Sequence, residues 1–228
     1  IAVSPDSRFL AAADGAEIRI WALDQEPAAP APARTLRGHR GQVLSLSFSR
    51  DGRRLVSSSQ DRSTRVWAWQ DSDSPAVTLG GHHGAVWNAR FSRDGQWVYF
   101  ASNREDGFQV WKVRAEANGP PVRVTRGGGY GAIESTDGRP LYFTKRGEAA
   151  PWAVWKAPTG GGEEVQVIPK VATWGDFDVT RDGITYIDSG TPGARLFVIP
   201  TPPPPTAWLW LVVVSRTRGL KALPMPRE

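Results

Sequence analysis

Residues 43–49 set the pattern of this chain. Leu44, Leu46 and Phe48 alternate with Ser45, Ser47 and Ser49, the period of a strand that turns one face to a core and the other to polar surroundings. Asp51-Gly52 follows, and both residues tolerate the positive φ of a tight turn, so the chain is expected to double back there. The same reading predicts strands over Arg53–Ser58, Ser63–Trp69 and Ala76–Leu79, with a further turn at Gln60-Asp61. Ahead of them the alternation predicts strands near Ala2–Ser4, Phe9–Ala13, Glu17–Leu23 and Arg34–Leu36. The Pro/Ala-rich Asp24–Pro32 between the last two reads as an exposed loop.

The pattern recurs. A Ser/Thr-x-Asp turn stands at Ser4-Pro5-Asp6-Ser7, Ser49-Arg50-Asp51-Gly52, Ser92-Arg93-Asp94-Gly95, Ser135-Thr136-Asp137-Gly138 and Thr180-Arg181-Asp182-Gly183, with aspartates 45, 43, 43 and 45 residues apart. A second landmark follows each turn: Ile20-Trp21, Val66-Trp67, Val110-Trp111, Val154-Trp155 and Leu196-Phe197. Two landmarks in step define a repeat of roughly 40–45 residues, the period of a four-stranded propeller blade. One such sheet cannot bury both of its faces, so neighbours must stack about a channel. The expected fold is all-β: a β-propeller, partial or five-bladed, of four-stranded antiparallel blades at about 1–37, 38–79, 80–124, 125–168 and 169–214. The repeats occupy 1–199, and 200–228 hold a Pro-rich spacer at Thr201–Pro205, the stretch Trp208–Val214 and a basic tail. Trp208–Val214 reads either as the outermost strand of the fifth unit or as a segment foreign to the repeats, being apolar on both faces where an outer strand wets one.

Particular residues carry a family resemblance. Gly38-His39, Asp61 and Trp67 resemble the WD40 repeat, and Gly81-His82 with Val110-Trp111 resembles a weaker copy. Phe91-Ser92-Arg93-Asp94-Gly95 with Ala101-Ser102-Asn103-Arg104, and Tyr130–Lys156, are similar to the PD40-type repeats of TolB-like bacterial propellers. The resemblance covers about residues 1–199 and is specific for fold, not for function. It implies that His39, Ser57, Asp61 and Trp67 form one structural hydrogen-bond chain: Asp accepts from a His ring nitrogen, His meets the Ser hydroxyl, and Ser accepts the indole N–H. That reading outweighs a serine–histidine–aspartate triad. Only this unit matches completely. The third has His82, but Glu105 stands six residues before Trp111, with Asp106 next. Thr125 and Lys170 take the histidine's place in the fourth and fifth units, whose blades are expected to be held mainly by packing.

Composition narrows the chemistry. The 228 residues include no cysteine, which excludes disulfides, thiol catalysis and cysteine metal sites. Three histidines, with His82-His83 adjacent and expected to diverge, make a metal site an unfavoured reading, and no cofactor is expected. Gly127-Gly128-Gly129 and Gly160-Gly161-Gly162 lack the Lys-Ser/Thr of a phosphate loop and read as turns. The 11 tryptophans fall mostly at repeat-equivalent positions, as packing between sheets requires. Net charge is +5, with arginines scattered among the turns, and Arg34, Arg37 and Arg40, like Arg216, Arg218, Lys221 and Arg227, read as solvated surface, so no nucleic-acid partner is expected. The longest apolar run, Ala207–Val214, is too short to span a bilayer. A start inside a strand at Ile1, with only five units, points to a fragment of a longer protein. Richness in Ala, Arg, Gly and Pro points to a bacterial source, with the cytoplasm favoured over the periplasm.

The candidate binding residues lie where the innermost strands begin. Leu44, Trp87 and Tyr130 stand seven residues before their turn aspartates, and Trp174 one further back in its unit. In a propeller these positions ring one mouth of the channel, where aromatics either line the core or anchor a partner. Asn88 and Arg104, near the same or an adjacent loop, are secondary candidates. The expected function is a non-catalytic scaffold for a protein or peptide, the propeller part of a larger bacterial protein with a fused enzymatic or regulatory domain. The alternative is the substrate-gating propeller of a prolyl-oligopeptidase-type hydrolase. That enzyme needs a following Gly-x-Ser-x-Gly segment, which this sequence does not carry.

Overall fold

The computed structural model describes residues 1–23, 31–71, 76–79, 82–105, 107–116, 119–146, 151–175, 177–187, 196–199, 210–213 and 221–224. Among them are 21 strands and no helix, arranged in five antiparallel sheets whose strands follow one another in chain order. The Pro/Ala-rich stretch at 24–30 and the spacer at 201–205 lie outside the described residues. The chain divides into two compact units, 1–132 and 133–228.

The first unit holds three sheets. The first is β1 (Ala2–Val3), β2 (Phe9–Asp14), β3 (Glu17–Ala22) and β4 (Arg34–Leu36). The second is β5 (Val43–Phe48), β6 (Leu55–Ser59), β7 (Thr64–Trp67) and β8 (Val77–Leu79). The third is β9 (Trp87–Phe91), β10 (Trp97–Glu105), β11 (Gly107–Arg114) and β12 (Val122–Arg123). Strand periodicity explains how the middle sheet is covered on both faces. Leu55 and Trp67 point to one side, into a core with Ile18, Ile20 and Phe48. Val56 and Val66, one residue along each strand, point to the other, against Val86, Val98 and Phe100. Full burial of one such side chain stabilises the fold by roughly 1.5–3 kcal/mol.

Backbone links join successive sheets. Val43 N–H donates to the Gly15 carbonyl at 2.8 Å, and Ala89 N–H to the Ser45 hydroxyl at 2.9 Å. Three consecutive serines on β6 are fully buried, and each finds a partner: Ser57 in His39 and Trp67, Ser58 in Ser45, Ser59 in the Gly41 carbonyl. Buried hydroxyls are tolerated on these terms.

The Ser-x-Asp turns share one geometry. Each Ser hydroxyl donates to the Asp two residues on: Ser4 to Asp6 at 2.5 Å, Ser49 to Asp51 at 2.6 Å, Ser92 to Asp94 at 2.6 Å and Ser135 to Asp137 at 2.5 Å. The same carboxylate accepts the backbone N–H of Arg8, Arg53, Gln96 or Arg139. The Ser hydroxyl and this N–H hold Asp6, Asp51 and Asp137 below the usual carboxylate range. Gly52 and Gly95 (both φ 70°) and Gly138 (φ 75°) supply the left-handed residue, a place that Ser7 fills at φ 59° in the first turn. The turn at Thr180 differs. Thr180 N–H reaches the Gly183 carbonyl three residues on, where Ser49 N–H reaches Arg54 five residues on. The Thr180 hydroxyl also bonds Gly183, so this hairpin is tighter than its sequence likeness suggests.

The boundary between the units falls inside β13 (Tyr130–Glu134), which pairs with β14 (Pro140–Arg146), followed by β15 (Trp152–Pro158) and β16 (Val165–Val171). The last sheet is β17 (Phe177–Val179), β18 (Ile184–Ile187), β19 (Leu196–Ile199), β20 (Trp210–Val213) and β21 (Lys221–Pro224). The second unit's core gathers Ile133, Tyr142, Val154, Ile168, Phe177, Ile184 and Tyr186. β20 falls within Trp208–Val214 but is not outermost, because β21 pairs along it from Trp210↔Pro224 to Val213↔Lys221. A fifth strand covers the edge that the repeat pattern left free.

Candidate functional site

Gly38-His39 precedes β5, and Asp61 lies in the turn between β6 and β7, so the tetrad draws on one sheet and its approach. His39 Nδ1 lies 2.8 Å from Asp61 Oδ2 and Nε2 lies 2.7 Å from Ser57 Oγ. Trp67 Nε1 donates to Ser57 Oγ at 2.8 Å. Because the indole can only donate, Ser57 is left to donate to Nε2, and His39 donates from Nδ1 to the carboxylate. Burial pushes His39 below its ordinary value, against the opposing pull of Asp61, which keeps the ring neutral. Burial alone would raise Asp61, but bonds from the Ser63 hydroxyl, Arg40 N–H and His39 hold it well below the carboxylate range. Ser57 is 0% exposed with both neighbours engaged, so its oxygen cannot meet a substrate. The four side chains thus form one continuous hydrogen-bond chain in which Ser57 Oγ is engaged by both His39 and Trp67.

The third sheet inverts this chemistry. His82 Nε2 donates to the Leu79 carbonyl at 3.2 Å, while Nδ1 faces Ser102 Oγ at 3.3 Å and accepts from Arg104 Nη2 at 3.2 Å. Where His39 holds an anion, His82 holds a cation. Burial first, and the Arg104 charge second, push the ring down to about 4. Trp111 Nε1 is buried without a hydrogen-bond partner. Glu105, which stands six residues before Trp111, forms an ion pair with Arg123 at 2.8 Å. β10 runs on to Glu105, which pairs with Gly107 after a register shift, and Asp106, the other acid expected here, lies outside the described residues.

Packing is not the sole tie at Thr125. Its hydroxyl donates to Gln109 Oε1 at 2.9 Å and accepts Val110 N–H at 2.9 Å. Gln109 also accepts Gly128 N–H at 3.1 Å and donates to the Arg126 carbonyl at 3.3 Å. A threonine–glutamine pair, which the histidine pattern could not reveal, thus fastens the approach to β13.

Two of the strand-end residues, Trp87 and Tyr130, have a shared backbone feature. Asn88 has φ 50° and Gly131 φ 57°, each six residues before its turn Asp. On β9, Trp87 pairs with Ala101 while Arg90 pairs with Tyr99, so one extra residue is accommodated there. Such a bulge re-aims the neighbouring side chain. The residues placed beside the left-handed position are Trp87 and Tyr130, both half-buried. Tyr130 packs on Phe108 with ring centroids 4.9 Å apart and planes at 33°, and burial pushes its phenol up. Phe108 was not singled out above. Its signal is an aromatic three residues before Trp111, where the second sheet has Thr64 three before Trp67.

Asn88 adjoins Trp87, and its Oδ1 accepts from Arg90 Nε at 3.4 Å. Arg104 lies against His82, to which its Nη2 donates at 3.2 Å. In the second unit, Trp174 is half-buried and its carbonyl accepts from the Thr144 hydroxyl at 2.6 Å. Among the described residues no three His, Asp or Glu side chains are grouped to hold a metal ion, and no helix is long and apolar enough to cross a membrane.

Comparison with known proteins bears on these sheets. The family model for the WD domain, G-beta repeat, matches residues 30–68 and 73–111. The target of rapamycin complex subunit wat1 of Schizosaccharomyces pombe is 36% identical over 67 residues, covering 29% of this chain and 21% of that protein. The target of rapamycin complex subunit LST8 of Saccharomyces cerevisiae is 37% identical over 65 residues, 28% of this chain and 21% of its own length. The chain thus spans about a fifth of the length of these curated relatives. Among solved structures, TolB of Acinetobacter baumannii superposes with a TM-score of 0.70 at 17% identity, over 88% of this chain and 51% of that one. A TolB-type protein of Agrobacterium tumefaciens gives 0.70 at 16% identity, over 87% and 75%. At such identities the likeness concerns fold alone. Two WD40 repeats, at 30–68 and 73–111, are therefore carried by a chain with the propeller fold of TolB.

Proposed function

We propose that this chain is a non-catalytic scaffold that binds a protein or peptide, with Trp87 and Tyr130 as its anchors. The observation that carries this reading is the left-handed residue next to each aromatic, Asn88 after Trp87 on the bulged strand β9 and Gly131 after Tyr130 on β13. A non-glycine residue at positive φ is strained, and such strain gathers where a side chain must be aimed. Half-buried aromatics offer a partner large apolar area at little cost in side-chain freedom. Relatives that share the WD40 repeats are named as subunits of a complex, which fits a scaffold. In the finer reading the chain is part of a larger bacterial protein, joined to an enzymatic or regulatory domain, and Trp174 adds a third anchor. Asn88 shapes the bulge, and Arg104, against His82, is a secondary candidate.

The test is capture of partners from a lysate of the source organism with the full chain as bait. The variant Trp87→Ala is expected to lose the captured partner with its melting curve unchanged. The variant Trp97→Ala, at the far end of the same sheet, is expected to retain it. Equal capture by Trp87→Ala removes the reading.

A further inference from the structure

Hydrogen bonds fasten three segments of the first unit together where β5 and β9 begin and β6 ends. Val86 N–H, one residue before Trp87, donates to the carbonyl of Ser59, the last residue of β6, at 3.3 Å. Gln60 N–H donates to the Gln42 carbonyl ahead of β5 at 2.9 Å, and Arg40 N–H to Asp61 Oδ2 at 2.8 Å. Gly41 makes this approach close, since a Cβ there would lie 2.9 Å from the Asp61 nitrogen. The approach to β5 and the turn after β6 are thus set beside the start of β9, and each carries an exposed arginine, Arg40 and Arg62. We infer that the partner segment received at Trp87 is acidic, an extended stretch whose Asp or Glu side chains pair with Arg40 and Arg62 while a neighbouring apolar side chain meets Trp87. This names the partner class of the site proposed above and rests on that reading.

The charge at this rim is open to a partner. Among the described residues, neither the Arg40 nor the Arg62 guanidinium has an ion-pair or hydrogen-bond partner. The neighbouring carboxylates are already engaged. Asp61 has a side chain only 10% exposed and accepts from His39, Ser63 and the Arg40 backbone. Asp14, in the corresponding turn of the first sheet, is held by Arg19 at 2.8 Å. Two exposed guanidinium groups therefore stand over one shielded carboxylate, and the rim keeps a net positive charge.

The backbone at Arg62 points the same way. In each sheet of the first unit, the turn between the second and third strands puts one residue in the left-handed region. It is Gly15 (φ 60°) in the first sheet, Gly107 (φ 76°) in the third and Arg62 (φ 66°) in the second. Glycine adopts that conformation freely and arginine does not. The second sheet keeps an arginine where both neighbours use glycine, and such strain gathers where a side chain has a task.

The apolar half of the site lies on the strands themselves. Leu44 and Trp87 are half-buried at the starts of β5 and β9, and Leu44 is the extra residue of a register shift between Val43↔Ser59 and Ser45↔Ser58. An apolar anchor with cations at its rim divides the work of recognition. The anchor supplies affinity, while the charge speeds encounter and repels basic segments.

Selection of a phage-displayed library of random peptides on the full chain tests this. Peptides enriched by the parent chain and lost on Trp87→Ala are expected to carry Asp or Glu beside an apolar residue. The most enriched of them, synthesised with a fluorescent label, is expected to bind the double variant Arg40→Gln/Arg62→Gly about fivefold more weakly than the parent, as for two exposed ion pairs of modest strength. Arg50→Gln/Arg53→Gln removes the same charge from exposed positions at the opposite end of β5 and β6 and is expected to bind as the parent does. Trp87-dependent peptides without acidic enrichment overturn the inference and leave the scaffold reading standing, whereas the absence of any Trp87-dependent peptide removes both. Equal affinity of the parent and Arg40→Gln/Arg62→Gly, or an equal loss in Arg50→Gln/Arg53→Gln, also overturns it.

Discussion

The indole N–H of Trp67 donates to the Ser57 hydroxyl at 2.8 Å, whereas the indole N–H of Trp111, its counterpart in the next sheet, is buried without an acceptor. The same residue type at the same repeat position thus plays two roles. Trp67 closes a hydrogen-bond chain, and Trp111 supplies ring area together with an unsatisfied donor. Replacing each by Phe removes a similar amount of ring, so the packing loss roughly cancels in the comparison. Trp67→Phe should therefore be the more destabilising by about 1–3 kcal/mol, the cost of disturbing a satisfied buried group against removing an unsatisfied one. Urea unfolding of the two variants checks this, and equal losses would contradict it.

Asp61 accepts from His39, Ser63 and the Arg40 backbone N–H. Ser63 gives both its hydroxyl and its backbone N–H, so Asp61→Ala strips four donors of their acceptor at once and should cost about 1–3 kcal/mol. A melting temperature equal to that of the parent chain would show that the tetrad does not stabilise the sheet.

His82 gives a pH dependence with a definite sign. Its ordinary value is 6.5 and its value in the fold is about 4. As pH falls below 6.5, the unfolded chain takes up a proton that the folded chain refuses. Stability from this group is complete above pH 6.5 and declines as pH falls towards about 4, by at most about 3 kcal/mol. His39 is lowered too and acts in the same direction, so the informative quantity is the difference between parent and His82→Gln. The variant should show a shallower decline in chemical denaturation between these pH values, and parallel curves would refute the assignment.

Gly52 and Gly95 have the same φ, 70°, but different surroundings. A Cβ on Gly52 would meet only Pro5 Cδ at 3.8 Å, whereas one on Gly95 would lie 2.7 Å from Arg54 Nη2. That nitrogen donates to the Gly95 carbonyl at 2.8 Å, tying the turn of the second sheet to that of the third. Both Gly→Ala changes meet the same left-handed strain, but Gly95→Ala should cost about 1 kcal/mol more, the bond to Arg54 being displaced. In an Arg54→Ala background the two costs should converge. A persistent gap there would place the difference elsewhere.

The sequence by itself determined the strands, the Ser-x-Asp turns and the identity of the residues in the second sheet's hydrogen-bond chain. The strands and turns depend on separations of a few residues within one hairpin, where alternation fixes which side chains share a face, whereas the members of the hydrogen-bond chain, up to 22 residues apart, were legible through the WD40 resemblance. Leu55 and Val56, adjacent in sequence and buried in different cores, illustrate how far alternation alone reaches. The tertiary structure decided what a repeat position does once its neighbours differ. Beyond the register shift after Ser102, Glu105 is exposed and paired with Arg123 while Arg104 lies against His82, and Gln109, on an adjacent strand, gave Thr125 a partner that the histidine pattern does not contain. β21 covered β20, and the left-handed position at Asn88 accompanies a register shift between β9 and β10. Composition cannot report such outcomes, because each depends on which group from another strand occupies the space a side chain faces.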